Sequence, residues 1–367
     1  MDEITLRRLI HQNPELAFEE HNTQRLIVEF LRELGVNNFV KIGTGVLAPV
    51  VRAKDEAFII VRAEMDALPI EEKTDYAFRS KNGKMHACGH DFHIAAVCRV
   101  VKRVIQEKLR GNFLFVFQPA EESGAGAKII VEHILQWDFR VKAALAMHVT
   151  DEYPVGVIAS KPGVLFSASC EANVRVEGQP VHVAMHRLGK DALRGAIEFL
   201  KGIYNSDWDD SLVYFGKLSA GQARNVVAGE ALLEGTIRAR SFERVEEIVK
   251  GMCELGRMVE QETGLKVHVD LGAKCPEVKV NEDLFVILKN ISKQYGIECL
   301  QCEVKLTAED FGYFSRHFPT LMFWFGVRES SHIEGLHSAK FLPSDELIPL
   351  AGDFLTGILD SLCKDQL

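Results

Sequence analysis

Four short apolar runs constrain this chain more than any other feature. They are Phe58-Ile59-Ile60-Val61, Phe113-Leu114-Phe115-Val116-Phe117, Ala143-Ala144-Leu145-Ala146-Met147 and Leu321-Met322-Phe323-Trp324-Phe325. Continuous apolar runs of this length read as strands buried on both faces. Such strands belong to an α/β fold, a mostly parallel central sheet flanked by helices. The first run empties into Arg62-Ala63-Glu64-Met65-Asp66-Ala67-Leu68-Pro69. The second ends in Gln118-Pro119-Ala120-Glu121-Glu122 and the third in His148. The fourth leads through a polar loop to Gly335-Leu336-His337-Ser338. Open α/β sheets keep their chemistry at the carboxyl ends of the strands, so these tails are the candidate site.

Between the first two runs lies Met85-His86-Ala87-Cys88-Gly89-His90-Asp91-Phe92-His93. A helical pattern follows at once in Ile94, Val97, Val101, Val104 and Ile105. Cys88 and His90 are therefore expected where a loop enters a helix, exposed and electropositive. A thiolate beside an imidazole suits a zinc-like metal. Taken alone, this stretch fits equally a surface loop with scattered histidines and a buried cysteine. The strand ends shift that balance. Cys88, His90, Glu122, His148 and His337 are too many donors for one tetrahedral ion, and suit two ions about 3.5–4 Å apart. Glu121 remains as a carboxylate beside a ligand, the place of a general base.

From Cys170 the pattern changes. Strand 170–178, helix 188–205, strands 211–220 and 230–240, helix 242–262 and strand 265–271 form a β-α-β-β-α-β unit, the ferredoxin-like plan. This predicts an inserted α+β domain at 168–274 inside a catalytic domain built from 1–167 and 275–367. Further helices are expected at 3–12, at 20–34 with Gly35 as a stop, and at about 344–362. The net charge, 43 − 52 = −9, argues against nucleic acid or an anionic membrane as partner. No apolar run approaches the ~20 residues that span a bilayer. The N-terminus lacks a basic region followed by an apolar one, and the eight cysteines have no disulfide-framework spacing. A cytoplasmic location is expected. Cys299 and Cys302 make a C-x-x-C, but without a second pair a redox or zinc-finger role is not expected.

Several stretches together resemble the zinc aminoacylase–carboxypeptidase family of metallohydrolases. They are Asn13-Pro14-Glu15-Leu16, Arg62 to Pro69, Met85 to His93, Gln118 to Glu122, Ala308-Glu309-Asp310-Phe311-Gly312 and Gly335 to Phe341. The likeness is to its amidohydrolase branch, which holds hippurate hydrolases, indole-acetyl-amino-acid hydrolases and N-acetyldiaminopimelate deacetylases. Ala67 to Thr74, Tyr153 to Ala159 and Met322 to Gly326 resemble the deacetylases most. The resemblance implies a di-metal centre on Cys88, His90, Glu122, His148 and His337, with zinc, manganese, cobalt or nickel, and Glu121 as base. It implies a homodimer paired through the inserted domain, with His182 reaching the partner's site, and Asn225 and Arg238 holding the substrate carboxylate. An N-acyl amino acid is the implied substrate. A carboxypeptidase or dipeptidase on the same scaffold, or a metal-lost binding homologue, are the alternatives.

The sequence departs from the branch in three places. Glu64 stands where Asp is usual; with Asp66 retained, an adjustment behind the ligands is expected. Val181 and Met185-His186 alter the loop around His182. Asn225-Val226-Val227-Ala228 lacks a customary Pro. Outside the ligand set, His86 and His93 are expected to orient neighbours or face solvent. His11, His21, His133, His268, His317 and His332 carry no expected role.

Overall fold

The computed structural model describes residues 1–53 and 56–364. The chain begins α1 (Glu3–Gln12), α2 (His21–Glu33), β1 (Val40–Ile42), β2 (Gly45–Val51), β3 (Phe58–Glu64), α3 (His90–Gln106), β4 (Asn112–Gln118), α4 (Gly126–Ile134), β5 (Val141–Pro154), β6 (Val157–Ser160) and β7 (Gly163–Phe166). It continues β8 (Ala168–Glu177), α5 (Ala192–Asn205), β9 (Leu212–Ala220), β10 (Glu230–Ala239), α6 (Phe242–Thr263) and β11 (Lys266–Cys275). It ends β12 (Val278–Val280), α7 (Glu282–Gln294), β13 (Glu298–Gln301), α8 (Gly312–Ser315), β14 (Thr320–Arg328) and α9 (Ile348–Lys364). Two compact units result. One comprises Met1–Leu165, Val278–Val304 and Glu309–Leu367; the other comprises Phe166–Glu277 and Lys305–Ala308.

The larger unit holds an eight-stranded sheet in the order β1-β2-β4-β3-β5-β14-β6-β13. Its centre, β4-β3-β5-β14, is parallel throughout. These are the four apolar runs, and Phe113 to Phe117 and Leu321 to Phe325 are buried accordingly. The flanking β2 and β6 run antiparallel to their inner neighbours. Because β3 lies between β4 and β5, the order of the chain reverses there, the usual place for a crevice at the strand ends. The two opening helices are set by carboxylates. Asp2 caps α1 by accepting from Thr5 N at 2.7 Å. Glu15 takes the N–H groups of Asn22 and Thr23 at the start of α2, and Gly35 at φ 82° turns the chain out of it.

The smaller unit is an antiparallel sheet in the order β11-β8-β10-β9. With α5 and α6 between its strands in sequence, this is the ferredoxin-like arrangement. Alternate residues of β8, Cys170, Ala172, Val174 and Val176, are buried with Phe199 of α5 and Ile248 and Met252 of α6.

Two expectations need correction. The third apolar run does not end at His148: β5 carries on to Pro154, because Arg328 of the parallel β14 still pairs there. The helix expected from 188 starts at Ala192, capped by Asp191, and residues 183–188 form a separate 3₁₀ turn. Cys299 lies on β13 and Cys302 past its end, and the two do not form a disulfide. No helix among the described residues is long and apolar enough to cross a membrane.

Candidate metal centre

All five candidate ligands lie in the larger unit, around the carboxyl ends of its central strands. Gly89, between Cys88 and His90, opens α3 at φ 82°. A Cβ there would meet Val149 Cγ2 at 2.4 Å, so this close approach requires glycine. The exposure expected of Cys88 and His90 at a loop-to-helix junction is not found: they are buried, at 6% and 0% accessible. The sheet end and the loop bearing His337, whose N–H donates to Ala87 O at 2.9 Å, close over them.

The histidine tautomers follow from backbone partners. His90 Nδ1 donates to the Asp66 carbonyl at 2.8 Å, and His148 Nδ1 donates to the Val149 carbonyl at 2.7 Å. In both rings Nε2 is left as the lone-pair nitrogen facing the cluster, the usual orientation of a metal-binding imidazole. His148 Nε2 is 3.4 Å from Cys88 Sγ. His90 Nε2 is 3.9 Å from Glu122 Oε1, and His337 Nε2 is 3.5 Å from the same oxygen. Donor atoms of Cys88, His90 and Glu122 lie within 4.8 Å of one another. His90 Nε2 and Glu122 Oε1 are buried without a hydrogen-bond partner. Two orphaned polar atoms facing each other are costly unless something bridges them, and a cation does so. The field agrees. Burial disfavours a charged His90, yet Asp66, Glu64 and Glu122 outweigh it and lift its pKa to about 10, so without metal Nε2 holds a proton in the place a cation would take. Burial, with His93 alongside, pushes His148 down to about 3, keeping it neutral. Burial and then Glu122 and Glu121 raise the Cys88 thiol, so only a cation would make it a thiolate there. This donor set fits divalent metal.

His93 is excluded as a ligand, although it lies near Glu64, His90 and His148. Its Nδ1 donates to Glu64 Oε2 at 2.8 Å and its Nε2 accepts from Val149 N at 3.0 Å. Both nitrogens are spent on holding the strand next to His148. Neither His93 nor His86 faces solvent; His86 is buried with neither nitrogen bonded. His11, given no role from sequence, is buried between Asp91 and Glu72 at 2.9 and 3.1 Å. Burial opposes its charge, but these carboxylates hold it at about 9.

Asp66 accepts from Glu121 N at 3.1 Å and from Glu122 N at 2.9 Å. Both its oxygens thus fix the turn that presents the two glutamates. Glu121 Oε2 reaches 3.9 Å from His90 Nε2. Burial first, then Glu309, Asp310 and Glu122, raise the Glu121 carboxyl well above the ordinary range, with Arg62 opposing. Arg62, fully buried, binds Glu64, Gln118 at 2.9 Å, Glu309 at 2.9 Å and Asp310 at 2.7 Å. It ties β3, β4 and the 309–310 segment together beneath the site.

Two positions went unread in the sequence. Asp151 Oδ2 accepts from Glu334 N at 2.6 Å and Gly335 N at 3.0 Å, anchoring the loop before His337. Glu20 accepts from Ala120 N at 2.8 Å. Asp151 lies beyond the expected strand end, and Glu20 resembles a solvated helix start, so neither carried a signal.

In the smaller unit, His182 is exposed and pairs through a β-bridge with Val226, next to Asn225. Arg238, on β10, is partly buried, and burial lowers its pKa.

Residues 60–360 match the model of peptidase family M20/M25/M40. The chain belongs to this family. It is 36% identical to the N-acetyldiaminopimelate deacetylase of Anoxybacillus flavithermus over 364 residues, 96% of this chain and 95% of that one. It is 34% identical to the enzyme of that name from Shouchella clausii, over 98% of both. A Bacillus subtilis dinuclear metal binding peptidase from the M20 family superposes with TM-score 0.85 at 27% identity, covering 99% and 97% of the two chains. A Staphylococcus aureus tripeptidase shares the fold, with TM-score 0.76 at 18% identity over 99% and 98%. Membership makes this family member a hydrolase.

Proposed function

We propose that this M20 family member is a two-metal amidohydrolase that cleaves N-acyl amino acids, with N-acetyldiaminopimelate as the leading substrate. The observation that carries the reading is the convergence of the unpartnered His90 Nε2 and Glu122 Oε1 with Cys88, His148 and His337, beside Glu121. Those five residues would hold the pair. Bound there, two divalent ions would polarise the acyl carbonyl and bring the pKa of the attacking water toward ~7. Glu121 takes the proton from that water. It then gives the proton to the amine nitrogen as the C–N bond breaks, releasing a carboxylic acid and a free amino acid. Cysteine and imidazole favour zinc, and the carboxylate also admits manganese, cobalt or nickel. The free thiols fit a reducing cytoplasm.

The deciding experiment is a turnover screen over acetyl-, benzoyl- and indole-acetyl-amino acids and dipeptides with each of these metals. Acetyl-amino-acid hydrolysis, fastest on N-acetyldiaminopimelate, is expected. Dipeptide cleavage alone would favour a dipeptidase. Binding without turnover under every metal would make it a non-catalytic homologue.

The second part of this reading is a homodimer with His182 acting across it. Edge strand β9 exposes Leu212, Tyr214 and Leu218, and the neighbouring α5 exposes Leu193, Ile197 and Tyr204. An exposed apolar edge strand invites pairing, and a second copy offers a matching edge. Within one smaller unit, His182 and Asn225 lie beyond the start of β10, whereas Arg238 lies at its end. Glu230 to Arg238 alone spans roughly 26 Å at the usual strand rise. If all three touch one small substrate, they come from different subunits. His182→Ala is expected to lower kcat ~10²–10³-fold, the usual loss for one oxyanion donor, with metal content unchanged. Mixing inactive Glu121→Gln with inactive His182→Ala under subunit exchange should then restore activity. Mixed dimers confirmed by mass without recovered activity would reject action across the interface.

A further inference from the structure

A carboxylate stands at the start of α2 yet does not serve that helix. Glu20 is its N-cap residue, with no side-chain bond to the helix. The N–H groups of Asn22 and Thr23 in the first turn of α2 go instead to Glu15, at 2.9 and 2.8 Å. Glu20 is fully buried. Its side chain points away from α2 and spans 100 residues of sequence to accept from Ala120 N at 2.8 Å. Its other oxygen accepts from the Thr44 hydroxyl.

Ala120 is one of five non-glycine residues with positive φ among those described, at 54°. An L-residue in that conformation is strained and persists only where its surroundings over-determine it. The clamp here has two jaws. Glu20 holds the N–H of Ala120, and Asp66 holds the next two, those of Glu121 and Glu122. On the far side, Gly126 N and Ser123 Oγ donate to the Ala120 carbonyl. A Cβ on Gly126 would lie 1.7 Å from the Pro119 carbonyl oxygen, which shows how tightly the turn is packed. The side chains this turn aims are the candidate base and a candidate metal ligand.

We propose that Glu20 is a positioning residue for the Glu121–Glu122 pair, acting through the Ala120 N–H. The inference rests on the two-metal reading above. It differs from plain structural support in what it moves. Loss of aim at Glu122 weakens metal binding, and loss of aim at Glu121 slows turnover. Substrate affinity and global stability depend on neither.

The experiment compares wild type, Glu20→Ala and Glu20→Gln as full-length protein. Zinc affinity is read by competition with a chromophoric chelator, kcat and KM on an acetyl-amino acid, and the melting temperature on metal-free protein. Removal of a partner behind a ligand typically costs ~10–100-fold in metal affinity or activity. Glu20→Ala is expected to lose that much in zinc affinity and in kcat of the metal-saturated enzyme, with KM within about twofold. Glu20→Gln, whose carbonyl oxygen still accepts from Ala120, is expected to recover most of both. Wild-type zinc affinity and kcat in Glu20→Ala would overturn the proposal. So would a lowered melting temperature with unchanged zinc affinity, or a Glu20→Gln variant as impaired as Glu20→Ala. Should Glu20→Ala fail to fold, Glu20→Asp, one methylene short of Ala120, carries the same expectations. A wild type that turns over no acyl-amino acid would strike the function above and leave the zinc comparison to judge Glu20.

Discussion

Glu121→Gln is expected to lower kcat by ~10²–10⁴-fold, the usual share of a positioned general base, while leaving bound metal at its wild-type level. The substitution keeps size and shape and removes only the ability to take a proton. Nothing in the turn depends on that ability. The Glu121 N–H is held by Asp66, and the N–H groups on either side by Glu20 and Asp66. The control is Glu122→Gln. Its Oε1 lies against His337 and faces His90 Nε2, so this variant should lose metal and, with it, turnover. Metal analysis by emission spectrometry beside steady-state kinetics separates the two. Metal lost from Glu121→Gln and kept by Glu122→Gln would exchange the roles of the two glutamates.

A second pair of variants removes the centre itself. Cys88→Ser and His148→Ala are each expected to abolish measurable hydrolysis and to lower bound metal, with the fold retained. Serine replaces the thiol almost isosterically but is a far poorer partner for a soft divalent ion. Alanine at 148 removes an imidazole 3.4 Å from Cys88 Sγ and frees the Val149 carbonyl that held it. An unsatisfied buried carbonyl costs about 1–3 kcal/mol, a fraction of the ~5–15 kcal/mol that holds an ordinary domain. Circular dichroism should therefore still report a cooperative melt. Full metal content and activity in both variants would take Cys88 and His148 out of the ligand set.

Much of the architecture was legible because it rests on local patterning. The four apolar runs became the parallel centre of the sheet because a strand covered on both faces needs apolar residues at every position. The β-α-β-β-α-β order of elements from Cys170 onward carried the ferredoxin-like plan. Gly35 and the helical spacing after His90 announced the end of α2 and the start of α3 in the same way. The close spacing of Cys88 and His90 was ambiguous alone, and the pair Glu121-Glu122 pointed to chemistry because it follows a buried strand, where open α/β sheets keep their sites.

Contacts between distant segments were not legible. Whether His93 or His148 offers a free nitrogen depends on which carbonyl, amide or carboxylate lies beside each ring, and Val149 and Glu64 reach them only through the packed sheet. The burial of Cys88 and His90 depends on the chain from Gly335 to Phe341 closing back over them. The extension of β5 past His148 depends on a partner strand far later in the chain, where Arg328 meets Pro154, 328 − 154 = 174 residues on, and its Nε donates to the Asp151 carbonyl. Glu20 and Asp151 carry no pattern at all, since a carboxylate that accepts a remote backbone N–H looks in sequence like any solvated acid. Sequence by itself determined the central strands, the fold class and the kinds of donor atom, because periodicity and residue chemistry are properties of neighbours along the chain. Only the tertiary structure decided which of those donors face one another and which hold the others in place, because hydrogen bonds between buried groups are selected by what the fold brings within 3 Å.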